Sequence, residues 1–303
     1  MALVNASTLI ALQKGFRGII QVAIDSADPM WKKVAMEVPS EVLTEEYHWL
    51  GSVPKMKEWL GNKQIDQLRG ASYLLTNKEW ESTFGIKRVH IETDSLGMYR
   101  PKIMSLGDEA MRHPDELLST IRLAGNTSTG LCFDGQQFYD TDHVWGDSGT
   151  LSNKVTGTGV TAAAVRADYY TAKARMRSFR DDKNRPLITK AGTMDLVATI
   201  PPALEGVFEE LANPGPGSTT PKTVIPYMVD PYLSDANDWY LDYVGSPMRP
   251  FVVQMRKRPM AVALEDPNAS DTVFMRQEFL YSVEASYNAG YALWWLSILI
   301  TNT

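Results

Sequence analysis

Residues 46–61 read Glu-Tyr-His-Trp-Leu-Gly-Ser-Val-Pro-Lys-Met-Lys-Glu-Trp-Leu-Gly, and no other stretch limits the fold so much. Tyr47, Trp49 and Trp59 crowd a short span that is punctuated by Gly51, Pro54 and Gly61. Apolar, charged and turn-forming residues alternate too fast for a long helix. Strand-like runs at 31–38 and 69–91 flank the segment, which therefore reads as the tip of a long two-stranded excursion. An isolated hairpin is marginal in water. Aromatic residues at its tip need a partner surface, and a second copy of the chain is the obvious candidate. The expected contact residues are Tyr47, Trp49, Leu50, Trp59 and Leu60.

The chain has 303 residues, enough for a sizeable core and about two domains. Its net charge of -6, with no long basic run, argues against a dedicated nucleic-acid-binding protein. It does not argue against enclosing nucleic acid without gripping it. Cys132 is the one cysteine, so no internal disulfide forms and a reducing compartment fits best. No secretory signal pattern opens the sequence, and the acceptor patterns at Asn5, Asn126 and Asn268 are read as chance. The apolar run 293–300 is too short to span a bilayer.

Along the chain, Ser7 caps an expected first helix to about Ala27, with Leu9, Leu12, Phe16, Ile19, Ile20 and Ala23 on one stripe. Residues 33–38 read as a strand, with 42–50 pairing back toward it. Residues 71–76 read as another, turned by Asn77-Lys78 into 80–91. Residues 99–124 are the clearest helical region. Pro114 breaks or kinks it, giving one kinked helix or two collinear ones. Residues 146–159 read as loop and 161–179 as helix. Strands are expected at 194–200, 224–229, 239–244, 251–255, 274–287 and 294–300, with a helix at 202–211 and a turn at 266–268.

Few constellations suggest chemistry. Asp140, Asp142 and His143 form the best local metal-like cluster. The simpler reading is a polar turn whose aspartates bond their own backbone. Cys132 with His143 has the makings of a nucleophile pair, but a lone Cys is more often a small buried hydrophobe. Gly157-Thr158-Gly159 lacks the third glycine and the lysine of phosphate-binding loops. Asp181 and Asp182 read as solvated surface. Arg256, Lys257 and Arg258 end a strand. They suggest a DNA-facing patch or, more simply, a solvated strand end or inter-subunit salt bridges. No cofactor is called for.

Several segments, in order, carry a resemblance: Tyr47-His48-Trp49-Leu50-Gly51, Pro54, Lys57-Glu58-Trp59-Leu60-Gly61, Gly97-Met98-Tyr99-Arg100-Pro101, Pro114-Asp115-Glu116-Leu117, Cys132-Phe133-Asp134-Gly135-Gln136, Phe138, Asp142-His143, Arg249-Pro250-Phe251 and 288–294. Together they resemble the major head subunit of Mu-like tailed phages, the gpT family, which is similar to the Hong Kong 97-type capsid proteins. The resemblance implies an α+β fold with an N-terminal arm (1–30), an extended E-loop (31–91) and a P-domain with a spine helix (92–145). An A-domain (146–271) and a return to the P-domain (272–303) complete it.

The implied function is that of a major capsid protein, not an enzyme. It self-assembles into hexamers and pentamers of an icosahedral head around double-stranded DNA. The implied partners are further copies of itself, separate scaffold and portal proteins, packaged DNA through weak non-specific contact, and a decorating protein. The implied location is the virion capsid, assembled in the host bacterial cytoplasm, with no membrane partner. Two other classes stay open on residues alone: a cytoplasmic, metal-dependent oligomeric enzyme using Asp140, Asp142 and His143, and a tail-tube or adaptor protein.

Overall fold

The computed structural model describes residues 18–50, 70–87, 89–90, 96–217, 219–264 and 275–302. The expected turn at 266–268 and the tip residues Trp59 and Leu60 lie outside them, as does the start of the first helix. That helix, α1, is present over residues 18–26. A short helix, α2 (Trp31–Val34), leads into strand β1 (Ala35–Pro39). Then come β2 (Thr44–Leu50), β3 (Gly70–Thr76), β4 (Lys78–Lys87) and the long helix α3 (Leu96–Ala124). Two short strands, β5 (His143–Val144) and β6 (Thr150–Leu151), precede β7 (Lys154–Thr156) and helix α4 (Ala162–Ser178). The chain closes through β8 (Leu196–Ile200), helix α5 (Glu205–Ala212), β9 (Tyr227–Val229), β10 (Trp239–Tyr243), β11 (Phe251–Leu264), β12 (Glu278–Tyr291) and β13 (Ser297–Thr301).

Two sheets organise these elements. One has the order β1-β11-β12-β4, the other β7-β13-β10-β8-β9. Strand β12 alternates buried and half-buried residues up to Ala285 and is almost wholly buried beyond it. This is the pattern of a strand half-solvated at one end and sandwiched at the other. A single 3-10 turn, Trp294–Leu296, then carries the chain into β13 of the other sheet. The two sheets are therefore joined covalently by one tight turn. The turn takes the first part of the strand expected at 294–300.

Several expected pairings are corrected. Strand β1 does not pair with 42–50; it runs parallel to β11, Ala35 opposite Phe251. Strand β2 instead pairs antiparallel with β3, Thr44 opposite Thr76 and Leu50 opposite Gly70. Asn77 is not a hairpin turn between β3 and β4. The two strands belong to different sheets, and β4 pairs with β12. The segment 146–159 is not all loop, because β7 pairs in parallel with β13 at the sheet edge. Strand β11 runs well past 255. Register shifts between Met255 and Met260 absorb Pro259, which a regular ladder would reject. Asp181 and Asp182 are buried, not solvated.

Helix α3 runs continuously through Pro101 and Pro114. Each proline removes one backbone hydrogen bond, so packing has to hold the helix. The residue after Pro114 helps: Asp115 Oδ1 accepts the Trp31 amide at 2.7 Å. Burial pushes the Asp115 carboxyl up despite the opposing backbone bonds from Trp31 and Met30. At Gly107 a Cβ would sit 2.7 Å from that of Ala23 and 2.8 Å from the Ile20 carbonyl, so glycine lets α1 and α3 touch. Ile20, Ile24, Ile103 and Leu106 join Ile86, Phe279, Tyr281 and Val283 in a small core there.

The larger core has a charged centre. Arg122 of α3 is 1% exposed and Asp242 of β10 is 0% exposed, and their side chains pair at 2.8 Å. Thr199 of β8 and Ser297 of β13 donate to the same carboxylate at 3.0 and 2.6 Å. The guanidinium carbon lies 4.8 Å from the ring centres of both Tyr240 and Phe251. Burial opposes the charge on Arg122, but Asp242 outweighs it and raises the guanidinium pKa. One ion pair thus ties α3 to three strands of one sheet and to β11 of the other. Arg122→Met should cost the dissociated subunit about 3–5 kcal/mol, because it leaves a buried carboxylate unpaired. Arg122→Met/Asp242→Leu should cost less than the sum of the two single changes in urea unfolding. Strict additivity would show that the two groups are not coupled.

Candidate functional site

The excursion expected from the sequence is the β2–β3 hairpin. Its arms contact the rest of the fold at one end. Asn77 donates its backbone N–H to the Leu43 carbonyl at 2.7 Å, and its side-chain amide to Val42 O and Ser40 Oγ. Tyr47 Oη donates to Gln254 Oε1 at 2.9 Å, and Gln254 Nε2 reaches the Leu75 carbonyl at 3.3 Å. Gln254 is completely buried on β11. From β12, Asn288 donates to the Thr76 carbonyl at 2.8 Å. Tyr73 and Tyr291 meet edge to face, and the Tyr291 amide donates to Tyr73 Oη. A Cβ at Gly290 would lie 2.9 Å from Leu75 Cδ2, so glycine is what lets the hairpin seat on β12. The Tyr47 hydroxyl is pushed up to about 12 by burial first and then by Glu45, which keeps it protonated as a donor.

This root is tied down by hydrogen bonds, while the outward positions of its arms, Thr44, Glu46, His48, Ser72, Leu74 and Thr76, are exposed and mostly polar, with three exposed apolar side chains at or beside them. Val42, Leu43 and Leu74 are 50%, 57% and 64% exposed. Of the five expected contact residues, Tyr47 lies at the root and serves its own subunit. Trp49 and Leu50 occupy the last positions of β2, opposite Ala71 and Gly70. Trp59 and Leu60 lie outside the described residues. Tyr73, Gln254, Asn77, Asn288 and Gly290 do not stand out as a site in the sequence. Their one signal there is the tight run Asn288-Ala289-Gly290-Tyr291.

The three basic residues of β11 do not form a free patch. Arg256 lies 3.7 Å from Glu79, Lys257 3.2 Å from Glu284, and Arg258 pairs with Glu37. Each carboxylate comes from a different strand of the same sheet, β4, β12 and β1. These pairs are solvent-exposed, and such pairs are individually weak. Arg256, Lys257, Glu79 and Glu284 line a groove of about 1000 Å³ together with Glu41 and Glu81, so its acidic side chains outnumber its basic ones four to two.

The metal-like cluster is not assembled as expected. His143 Nδ1 meets Asp134 Oδ2 at 2.7 Å, while Asp140 caps the Thr141 amide. Cys132 donates to the other oxygen of Asp134 at 2.8 Å. Among the described residues, Cys132, Asp134 and His143 are the trio whose ligand atoms lie within 4.8 Å of one another. As arranged, the carboxylate holds both neighbours by hydrogen bonds. Burial and then the adjacent Asp134 push the Cys132 thiol far up, so it is a poor nucleophile. His143 stacks on Trp294 at 4.0 Å, which pins this turn to the junction between the sheets. Gly157-Thr158-Gly159 is likewise structural: Asp168 accepts from Thr158, and Asn302 from the Gly159 amide.

Two measurements follow from this geometry. Tyr47→Phe leaves the buried Gln254 acceptor unpaired, at a cost of about 1–3 kcal/mol. Amides of β3 should exchange faster in that variant, while those of β10 keep their wild-type protection; unchanged β3 exchange would show that the hydroxyl does not hold the root. Burial alone would raise the Asp134 carboxyl, but hydrogen bonds from His143 and Cys132 lower it below 3.8. A depressed acid stabilises the fold above its unfolded pKa and loses that effect as pH falls through the folded value. Asp134→Asn should therefore flatten the loss of urea resistance below about pH 4; an unchanged acid limb would contradict the tie.

Comparison with known proteins gives one consistent result. Residues 9–165 and 218–302 match the family described as Mu-like prophage major head subunit gpT. The chain is 27% identical over 294 residues to the Mu-like prophage FluMu major head subunit of Haemophilus influenzae, covering 97% of this chain and 73% of that one. It is 27% identical over 301 residues to the major capsid protein of Escherichia phage Mu, covering 98% and 75%. Among solved structures, it superposes on a chain of the bacteriophage JBD30 procapsid with a TM-score of 0.60 at 27% identity, covering 99% and 76%.

Proposed function

The chain belongs to the Mu-like gpT major head subunit family, and from that premise we propose how it builds a shell. It is a major capsid protein with the Hong Kong 97-type α+β fold, a structural component of a phage head that assembles with copies of itself. Residues 1–30 act as the arm and the β2–β3 hairpin as the core of the extended loop. Strands β1 and β4, from the same 31–91 segment, stay in the sheet beneath α3, so the excursion proper is 40–77. Residues 92–145 with β11 and β12 form the peripheral domain around the spine helix α3, and the rest of 146–271 with β13 the axial domain, a division that follows the two sheets.

The observation that carries this reading is the hairpin itself. It has a hydrogen-bonded root, exposes Val42, Leu43 and Leu74, and has no core of its own, so it calls for a second surface. The tip of one subunit lies over the peripheral domain and helix of the next, burying Trp49 and Trp59. Axial domains meet around hexamers and pentamers, and many modest contacts repeated by symmetry resist internal pressure. The inert thiol of Cys132 and the separation of Asp140 and Asp142 from His143 support a purely structural role. Scaffold, portal and decorating proteins and packaged double-stranded DNA are the further partners we assign. We place assembly in the host cytoplasm. The acidic balance suits a wall that does not hold DNA tightly.

Trp49→Ala/Trp59→Ala should abolish or strongly reduce closed particles in electron micrographs while leaving the subunit's urea midpoint near wild type. Normal shells from this double variant would remove the hairpin from the assembly mechanism.

A further inference from the structure

Charge is unevenly spread along this acidic chain. Residues 162–190 carry eight Lys or Arg and three Asp, and the three Asp are buried; the rest of the chain carries 22 basic and 33 acidic residues. Helix α4 presents most of this excess. Its inner face is Val165, Tyr169, Ala172 and Met176. On the flank about 100° round from it, Arg166, Tyr170, Lys173 and Arg177 recur at i, i+4, i+7 and i+11, one stripe of a 3.6-residue helix.

Each cation of the stripe is positioned by neutral groups. Arg166 Nε donates to Thr223 Oγ1 at 2.9 Å, and its guanidinium lies 5.1 Å from the Tyr170 ring. Lys173 Nζ lies 5.7 Å from the Tyr169 ring. Arg177 donates to the carbonyls of Lys190 and Gly192. Among the described residues, no ion pair is formed by these three. This is the reverse of Arg256, Lys257 and Arg258, each of which meets a glutamate of its own chain.

We infer that the cationic flank of α4, with the small exposed residues beside it, is the surface through which the subunit touches the phosphate backbone of double-stranded DNA. The inference rests on the capsid reading and specifies where its wall meets the packaged polymer. The stripe spans about 16 Å at 1.5 Å per residue. A duplex carries roughly one charge per 1.7 Å of axis, so phosphates lie opposite the stripe in any register. The exposed residues on the outward face beside the cations are short: Ala163, Ala167, Thr171, Ala174 and Ser178. They let a sugar–phosphate chain approach closely. A contact with another protein would need a large apolar centre, and α4 exposes one large ring, Tyr170.

The test compares the wild-type full chain with three variants, all kept dissociated by dilution, binding a fluorescent 30-base-pair duplex across a salt series. Wild type should bind with a steep salt dependence and no sequence preference. Arg166→Gln/Lys173→Gln/Arg177→Gln should weaken binding at least about tenfold at low salt and reduce the log–log slope by about 2–3, near 0.9 for each phosphate that is no longer neutralised. Arg256→Gln/Lys257→Gln/Arg258→Gln should keep the wild-type slope. The charge-retaining Arg166→Lys/Arg177→Lys should also keep it, which separates loss of charge from misfolding.

A wild-type slope in the α4 triple variant, no wild-type binding at all, or a reduced slope in the charge-retaining variant would each overturn the inference. So would an α4 variant that binds DNA normally but no longer forms shells, since that would make the face a contact between copies. Shell formation is scored separately by electron microscopy. A wild-type chain that forms no shells contradicts the capsid reading, whatever the slope.

Discussion

The buried pair of Arg122 and Asp242 is the constraint on which the rest of the molecule depends. An ion pair without solvent is a costly way to fill a core, and well-packed apolar groups of the same volume often do as well. What it adds is direction. The carboxylate accepts from Arg122, Thr199 and Ser297 at once, so α3, β8, β10 and β13 have one mutual arrangement that satisfies it. The guanidinium between Tyr240 and Phe251 extends the same demand to β11. A long helix weakened by two internal prolines is thereby held to both sheets near its C-terminal end.

That rigidity has a use at the other side of β11 and β12. These strands carry Gln254, Asn288, Gly290 and Tyr291, which seat the hairpin root. A projecting arm can find the same place on a neighbour in every copy only if its root does not swing. The structure therefore runs in one line from buried charge, through sheet register, to the direction of the projecting β2–β3 arm. The paired charges of β11 belong to the same scheme, bracing three strands of the sheet.

Much of this is legible in residues. The 3.6-residue period over 99–124 locates α3, and the alternation around Phe279, Tyr281 and Val283 locates β12. Aromatic crowding beside glycine and proline marks the hairpin. What residues alone miss is partners. Strand β1 finds β11 far along the chain, which no local pattern encodes. The nearest acids in sequence to His143 are Asp140 and Asp142, yet its partner is Asp134, because the turn closed by Leu131 and Gln137 folds back on it. Adjacent Asp181 and Asp182 look solvated, but Asp181 accepts the amides of Lys183 and Arg185 and the Arg185 side chain. Arg122 and Asp242 stand alone in otherwise ordinary helix and strand patterns, so neither announces the other.

The most direct measurement is electron cryomicroscopy of particles assembled from the expressed chain, alone and with a candidate scaffold protein, at a resolution that traces the backbone. Closed shells of hexamers and pentamers are expected, in which residues 40–77 of each subunit lie across its neighbour, with Trp49 and Trp59 covered. Uniform small oligomers under every condition, or shells in which the hairpin folds back onto its own subunit, would contradict this arrangement.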